Sequence, residues 1–343
     1  MNKKIYAFIV LVIALAALIA PASSSAQPKT QVKTVAAPAS ANTLLPALPA
    51  SDVAMFVDVQ KILNDALPRA LAADKPRLAQ INTEIDSFKT RYGIDARQFE
   101  SVAVGMNFVK RSETVITTDI VALARGSFNA PAMIAAARIA LKGKYLEQKY
   151  GGQTIYTFNL NERIKLMGLL NMRVSDVNVV ALDANTLAMG HLSSVKAAID
   201  ARAGKGRISP ELVQLATRNP NALLGFASNV PPYVAQGTGI DNEEISKSIA
   251  SIRQAYGSVG TTPTGFDLQM IARTEKPEQA QSLSDSFAAL RQFSGFIVAQ
   301  LPADKGKLAQ NVIDSMKVTT AGSDLQIRLE VAQTDIATLV RIF

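Results

Sequence analysis

The sequence predicts an α+β protein: an internally duplicated unit in which an antiparallel or mixed sheet carries helices packed on one face. Three observations predict it. Short apolar runs bounded by tight-turn residues read as strands. Capped amphipathic stretches between them read as helices. The order of these elements in residues 51–207 then returns in residues 208–343. Set side by side, VVALDANTLAMGHL with VKAAI in the first half answers KVTTAGSDLQIRL with IATLV in the second. Element order rather than identity carries the repeat, and the short linker 204–210 places the two halves in contact.

The chain opens with an export signal. Lys3 and Lys4 precede an unbroken apolar stretch from Ile5 to Ala20, which Pro21 ends. Ser24-Ser25-Ala26 supplies the small residues a signal peptidase reads, so residues 1–26 are expected to be removed before Gln27. The apolar run falls short of the roughly 20 residues a spanning helix needs. Residues 27–50 are rich in Ala, Pro, Ser and Thr without an apolar face and read as a flexible linker.

Strand character begins with VAMFVDV at Val53–Val59, and a helical stretch follows. Leu78, Ile81, Ile85 and Phe88 recur at helical spacing, with Gly93 placed to stop that helix. Phe99 to Phe108 and Asp119 to Arg125 read as an antiparallel pair. Asn129 caps a helix whose first turn holds Pro131. Tyr145 to Phe158 turns about Gly151-Gly152 as a hairpin, and Val177–Leu182 with Thr186–Met189 forms another. A helix from Ser194 to Ala203, capped by Ser194, ends at Gly204 and Gly206. In the second half, Ala222–Ala227 is a strand, Glu243–Ala255 a helix, and Gly257–Thr262 and Phe266–Ala272 are strands. Pro277 opens a helix, Val318–Thr320 and Leu325–Val331 form a hairpin, and a last helix starts near Asp335.

Composition excludes several chemistries. With no cysteine among 343 residues, thiol nucleophiles, thiolate metal sites and a lipid-modified N-terminal cysteine are out. The single histidine, His191, rules out multi-histidine metal sites within one chain, so no metal and no cofactor is expected. The formal charge is +8, or about +6 once Lys3 and Lys4 are lost (8 − 2). Outside the cytoplasm that balance suits anionic lipids or envelope polymers rather than nucleic acid, and a modest positive charge that keeps the protein soluble is the simpler reading.

No catalytic residue is assigned. His191 beside Ser193 and Ser194 has the composition of a base and nucleophile, yet no orienting partner is evident. A partly buried histidine at a strand end is the simpler reading. Ser193 to Lys196 spells S-x-x-K without a K-T-G companion. Asp241-Asn242-Glu243-Glu244 reads as helix-start acids rather than a calcium loop. Gly204-Lys205-Gly206-Arg207 follows a helix and so is not a phosphate loop. Lys142, Lys144 and Lys149, interleaved with Tyr145 and Tyr150, suit a solvated hairpin edge.

Two apolar segments are the binding candidates. RIKLMGLLNMR (Arg163–Arg173) is an apolar insert bounded by basic residues, with no counterpart in the second half. Phe287, Leu290, Phe293, Phe296, Ile297 and Leu301 recur at helical spacing in a helix longer than its first-half equivalent. Either segment suits core packing; together they would line a groove for an acyl chain or form an interface. The candidate ligand-binding residues are therefore Leu166, Met167, Leu170, Phe293, Phe296 and Ile297.

Leu48-Pro49-Ala50-Ser51-Asp52, the strand ending at Asp58 and the helix after it resemble the opening of a family of exported bacterial domains of unknown function. Its members start with an LPAD-type run; here Ser51 interrupts that run. Gly93-Ile94-Asp95 before Phe99 fits the same pattern. The resemblance covers about sixty residues and implies no activity, so it assigns no functional residue. The expectation is an exported, non-enzymatic binding or scaffolding protein, periplasmic or extracellular. Its partner would be an envelope protein, an anionic surface or an apolar ligand. A lipid carrier and a serine hydrolase are the alternatives.

Overall fold

Alternating apolar residues settle into strands, and polar caps such as Asp58 and Asn129 start the helices that follow two of them. The computed structural model describes residues 43–333 apart from 93–94, 113–115, 142–143, 167–169, 237–242, 299–305, 307–309, 312 and 315. Strand β1 (Val53–Asp58) ends where Asp58 accepts a hydrogen bond from the Lys61 amide at 2.9 Å, which starts helix α1 (59–70). Helix α2 (Lys75–Tyr92) leads to β2 (Phe99–Lys110) and β3 (Ile116–Gly126). Asn129 caps α3 (Ala130–Ala140), its Oδ1 accepting from the Ala132 amide at 2.8 Å. The hairpin of β4 (Tyr145–Tyr150) and β5 (Gln153–Leu166) turns at Gly151 and Gly152, both at positive φ. Strands β6 (Leu170–Asp183) and β7 (Thr186–Gly190) and helix α4 (Leu192–Arg202) complete the first half, and helix α5 (Pro210–Ala216) opens the second.

The second half continues with β8 (Leu224–Asn229), α6 (Pro232–Gln236), α7 (Glu243–Ala250), β9 (Ile252–Thr262), β10 (Gly265–Thr274), α8 (Pro277–Val298), β11 (Lys317–Ala321) and β12 (Asp324–Ala332). The helix expected over Glu243–Ala255 ends at Ala250, because Ile252 to Ala255 join β9 and pair with β10. The helix expected near Asp335 lies outside the described residues.

The twelve strands among the described residues form one sheet in the order β11-β12-β10-β9-β8-β1-β2-β3-β7-β6-β5-β4. Every neighbouring pair is antiparallel. The seam between the halves is the β1–β8 pair, with Met55 opposite Phe226. Outward from that seam, β1-β2-β3-β7-β6 on one side corresponds to β8-β9-β10-β12-β11 on the other. The β4–β5 hairpin has no counterpart among the described residues.

The fold is α+β with an antiparallel sheet and helices packed on it, as the sequence predicts. Because alternate strand residues share a face, the core divides in two. On one face Val57, Val102, Ala124 and Leu187 pack with Ile85 of α2 and Ile134 of α3. Cross-strand pairing from Met55 through Phe226 and Gly257 to Met270 continues that face to β10, where α8 places Leu283 against Ala272, Leu325 and Ile327. The connecting helices thus share one face. The central strands differ: Phe56, Ala103, Leu123 and Ala188 point the other way, against Val195 and Ile199 of α4, Leu212 of α5, and Leu44, Leu45 and Leu48. Strands that are apolar at successive positions, such as IVALA in β3, need cover on both sides.

Candidate functional site

The feature that stands apart from the packed sheet is the outer part of the β5–β6 hairpin. Strand β4 pairs with β5 only over Gln153–Phe158, and β7 pairs with β6 only over Asn178–Asp183. Beyond Asn159 and Asp176 the hairpin continues to Leu166 and Leu170, and among the described residues no third strand pairs with it. Seven residues of β5 at roughly 3.3 Å each make an arm about 23 Å long.

Register sorts the arm's residues. Arg163 pairs with Arg173, Ile164 with Met172, Lys165 with Asn171 and Leu166 with Leu170. Glu162, Ile164, Leu166, Leu170, Met172 and Val174 therefore share one face, and Arg163, Lys165, Asn171 and Arg173 the other. A bulge makes this possible: between the pairs Asn159–Asp176 and Glu162–Val174, Leu160 and Asn161 oppose Ser175 alone. Had the inner register run on unbroken, Ile164 would meet Asn171 and Lys165 would meet Leu170. Each face would then mix apolar and basic residues. The extra residue separates them.

Of the six candidate residues, Leu166 and Leu170 pair with each other at the end of this arm. Met167 lies outside the described residues. Phe293, Phe296 and Ile297 fall in the last two turns of α8, and their side chains lie outside the described residues. Earlier in the same helix, Phe287 packs on the Leu283, Ala272 and Leu325 cluster. Helix α8 lies against β10, β11 and β12, at the opposite end of the strand order from β5 and β6.

The other motifs are tied into the fold. His191, not Ser194, is the N-cap residue of α4, which starts at Leu192; the histidine follows β7 and is exposed rather than partly buried, and Ser194 is already inside the helix and buried. His191 Nδ1 accepts a hydrogen bond from the Ile120 amide at 2.8 Å, and Ser193 donates to Asp119 Oδ2 at 3.1 Å. A catalytic triad needs Nδ1–H donating to a carboxylate. Here Nδ1 is the acceptor, so the carboxylate holds the serine and not the imidazole. Gly204 and Gly206 sit at positive φ in a turn whose Gly206 carbonyl accepts from the Ala50 amide at 2.6 Å. Tyr145 of β4 and Tyr156 of β5 both lie against the Arg138 guanidinium, 4.9 and 5.0 Å from their ring centres, and Tyr150 of β4 donates to Asp200 at 2.7 Å. Glu243 opens α7, while Asp241 and Asn242 lie outside the described residues. Among the described residues no three His, Asp or Glu side chains gather as a metal site. No helix among them is long and apolar enough to cross a membrane.

Sequence reading missed one polar cluster on the face opposite α8. Tyr256, fully buried, lies between two guanidiniums, Arg218 at 5.6 Å and Arg273 at 5.5 Å from its ring centre. Its hydroxyl accepts from both and donates to Asp324 at 3.3 Å, while Arg273 grips Asp324 through Nε at 2.8 Å and Nη2 at 3.2 Å. These residues come from α5's exit, β9, β10 and β12, and only strand pairing gathers them.

On the same face Asp267 carries strain of an electrostatic kind. Burial holds its carboxyl above the usual range, Glu330 nearby adds to this, and Gln269 and Arg328 only partly counter it. The folded protein thus holds the Asp267 proton to higher pH than the unfolded chain does. Stability falls as pH rises through the folded pKa, and the penalty is complete above it. Asp267→Asn is expected to raise the melting temperature at pH 7 by about 1–3 °C. The gain should vanish in melts at a pH low enough to protonate Asp267.

Comparison with known proteins adds a fold likeness and no family. No protein-family model and no curated protein matches the sequence. Among solved structures, crystal form IV of TP0453 aligns over 87% of this chain and 95% of that one, with a TM-score of 0.43 at 10% identity. Crystal form III aligns with a TM-score of 0.44 at 10% identity over 88% and 98%. Crystal form I gives 0.42 at 10% identity over 88% and 97%, so the chain is similar to TP0453 only in the broad course of its backbone.

Proposed function

We propose that this protein is an exported, non-enzymatic module of the cell envelope that docks on its partner through the β5–β6 arm. The arm's register carries the reading: apolar residues beyond Glu162 on one face, basic residues on the other, and among the described residues no third strand beside them. A two-stranded hairpin is at best marginally stable alone in water. Covering Ile164, Leu166, Leu170 and Met172 would contribute roughly 1.5–3 kcal/mol each before ordering costs, which a docked partner supplies. The matched strand order on either side of the β1–β8 seam supports the reading of an internal duplication, with the arm's hairpin as the part added to one half.

The export reading rests on Lys3, Lys4, the apolar run to Ala20 and Ser24-Ser25-Ala26. The serine hydrolase reading lacks support, since His191 Nδ1 is committed to the Ile120 amide. A groove shared by the arm and α8 also lacks support, because their strands stand at opposite ends of the sheet.

Trimming the arm tests the proposal. Replacing residues 161–174 by Asn-Gly closes Leu160 and Ser175 with a two-residue turn. The trimmed protein is expected to melt within about 2 °C of the parent, since the core clusters of the described residues stay intact. Its retention on isolated envelopes is expected to drop at least tenfold in a sedimentation assay. Undiminished retention would remove the arm from the docking role.

A further inference from the structure

We propose that the surface the arm recognises is an anionic lipid interface, an inference that rests on the docking role proposed above. The face bearing Ile164, Leu166, Leu170 and Met172 enters the boundary between headgroups and acyl chains, and Arg163, Lys165 and Arg173 meet the lipid phosphates.

Three arguments select lipid. First, a groove on a protein partner would use the apolar face and leave three basic residues idle, whereas an interface uses both faces at once. Second, a hairpin with open edges cannot enter the hydrocarbon core, where unpaired backbone groups have no partner. At the headgroup level those amides and carbonyls find water and phosphate, so the arm lies in the plane of the interface. Third, a second copy packed through the apolar face would leave both basic faces turned away from the contact and unused. Between residues 161 and 174 Glu162 is the one acidic residue, and it sits where the arm leaves the sheet.

The bulge at Leu160-Asn161 is then the device that builds the lipid-binding element. It converts a sequence with mixed alternation into one apolar and one basic face, using one extra residue.

The test is co-sedimentation of the exported chain with vesicles. Binding to phosphatidylglycerol–phosphatidylcholine vesicles is expected to exceed binding to phosphatidylcholine alone by about a hundredfold, at about fivefold for each of three basic residues, and to fall with added salt. A composition-neutral variant carries Lys165→Leu with Leu166→Lys, and Met172→Arg with Arg173→Met. It keeps length, charge and residue content but mixes the two faces, and is expected to lose at least tenfold in vesicle binding. Equal binding by this variant would overturn the proposal. So would failure of the parent protein to sediment with anionic vesicles while the trimmed arm still lowers envelope retention, a result that leaves the docking role standing with another occupant. A dimer in sedimentation equilibrium that the swapped variant abolishes, without vesicle binding, would identify that occupant as a second copy.

Discussion

Tyr256→Ala is expected to destabilise the protein by about 3–5 kcal/mol, the usual cost of emptying a large buried aromatic site. Tyr256 is the largest of the fully buried side chains among the described residues, and its ring packs in the core with Phe56, Leu212 and Ala227. Its hydroxyl also joins Arg218, Arg273 and Asp324. Tyr256→Phe separates the two contributions: the ring stays, and the loss of one shared hydroxyl is expected to cost about 1–3 kcal/mol. Urea unfolding of the two variants against the parent measures the gap. Equal costs would mean that the polar cluster, not the ring, holds this region together.

Gly225→Val is the second large effect. A Cβ built at Gly225 would stand 1.9 Å from the Ala216 carbonyl oxygen, the last residue of α5. That helix covers β8 at the seam between the halves, with Leu212 and Ala216 in the core beneath it. The backbone approach is closed to any side chain, so either α5 shifts away or β8 distorts. The expected loss is about 1–3 kcal/mol or more. Protection of the α5 amides in hydrogen exchange should fall with it, while that of α3, on the opposite face, should change little. Uniform loss everywhere would show that the seam unfolds as one unit with the rest.

Particular residues show what the sequence made legible. Asn129 before Pro131, and Gly151-Gly152 between alternating runs, are local signals whose geometry a few residues determine, and each appears where expected. The end of the helix at Ala250 was not legible, because SIRQAYG carries both helical and alternating spacing. Pairing of Ala255 with Ala272 decides the matter. Helix α5 was not assigned from the sequence, although Ser209 and Pro210 mark its start. Cover on both faces of the sheet follows from the doubly apolar central strands, which read equally well as half-solvated ones when their neighbours are unknown.

The arm was half legible. Its apolar content, its basic flanks and its lack of a counterpart are plain in RIKLMGLLNMR. Its two-faced character was not, since alternation in β5 changes phase at Leu160-Asn161 and only the partner strand reveals the shift. The cluster around Tyr256 was invisible for a similar reason: Arg218, Tyr256, Arg273 and Asp324 are spread over more than a hundred positions, and no local pattern joins them.

Amide hydrogen exchange along the β5–β6 hairpin tests the docking arm most directly. In the free protein, amides of residues 162–166 and 170–174 are expected to exchange orders of magnitude faster than those of Val121 to Ala124 in β3, which pairs on both sides. On isolated envelopes the arm's amides should slow while those of β3 stay as they were. An arm already as protected as β3 in the free protein, or one whose exchange envelopes leave unchanged, would contradict this account.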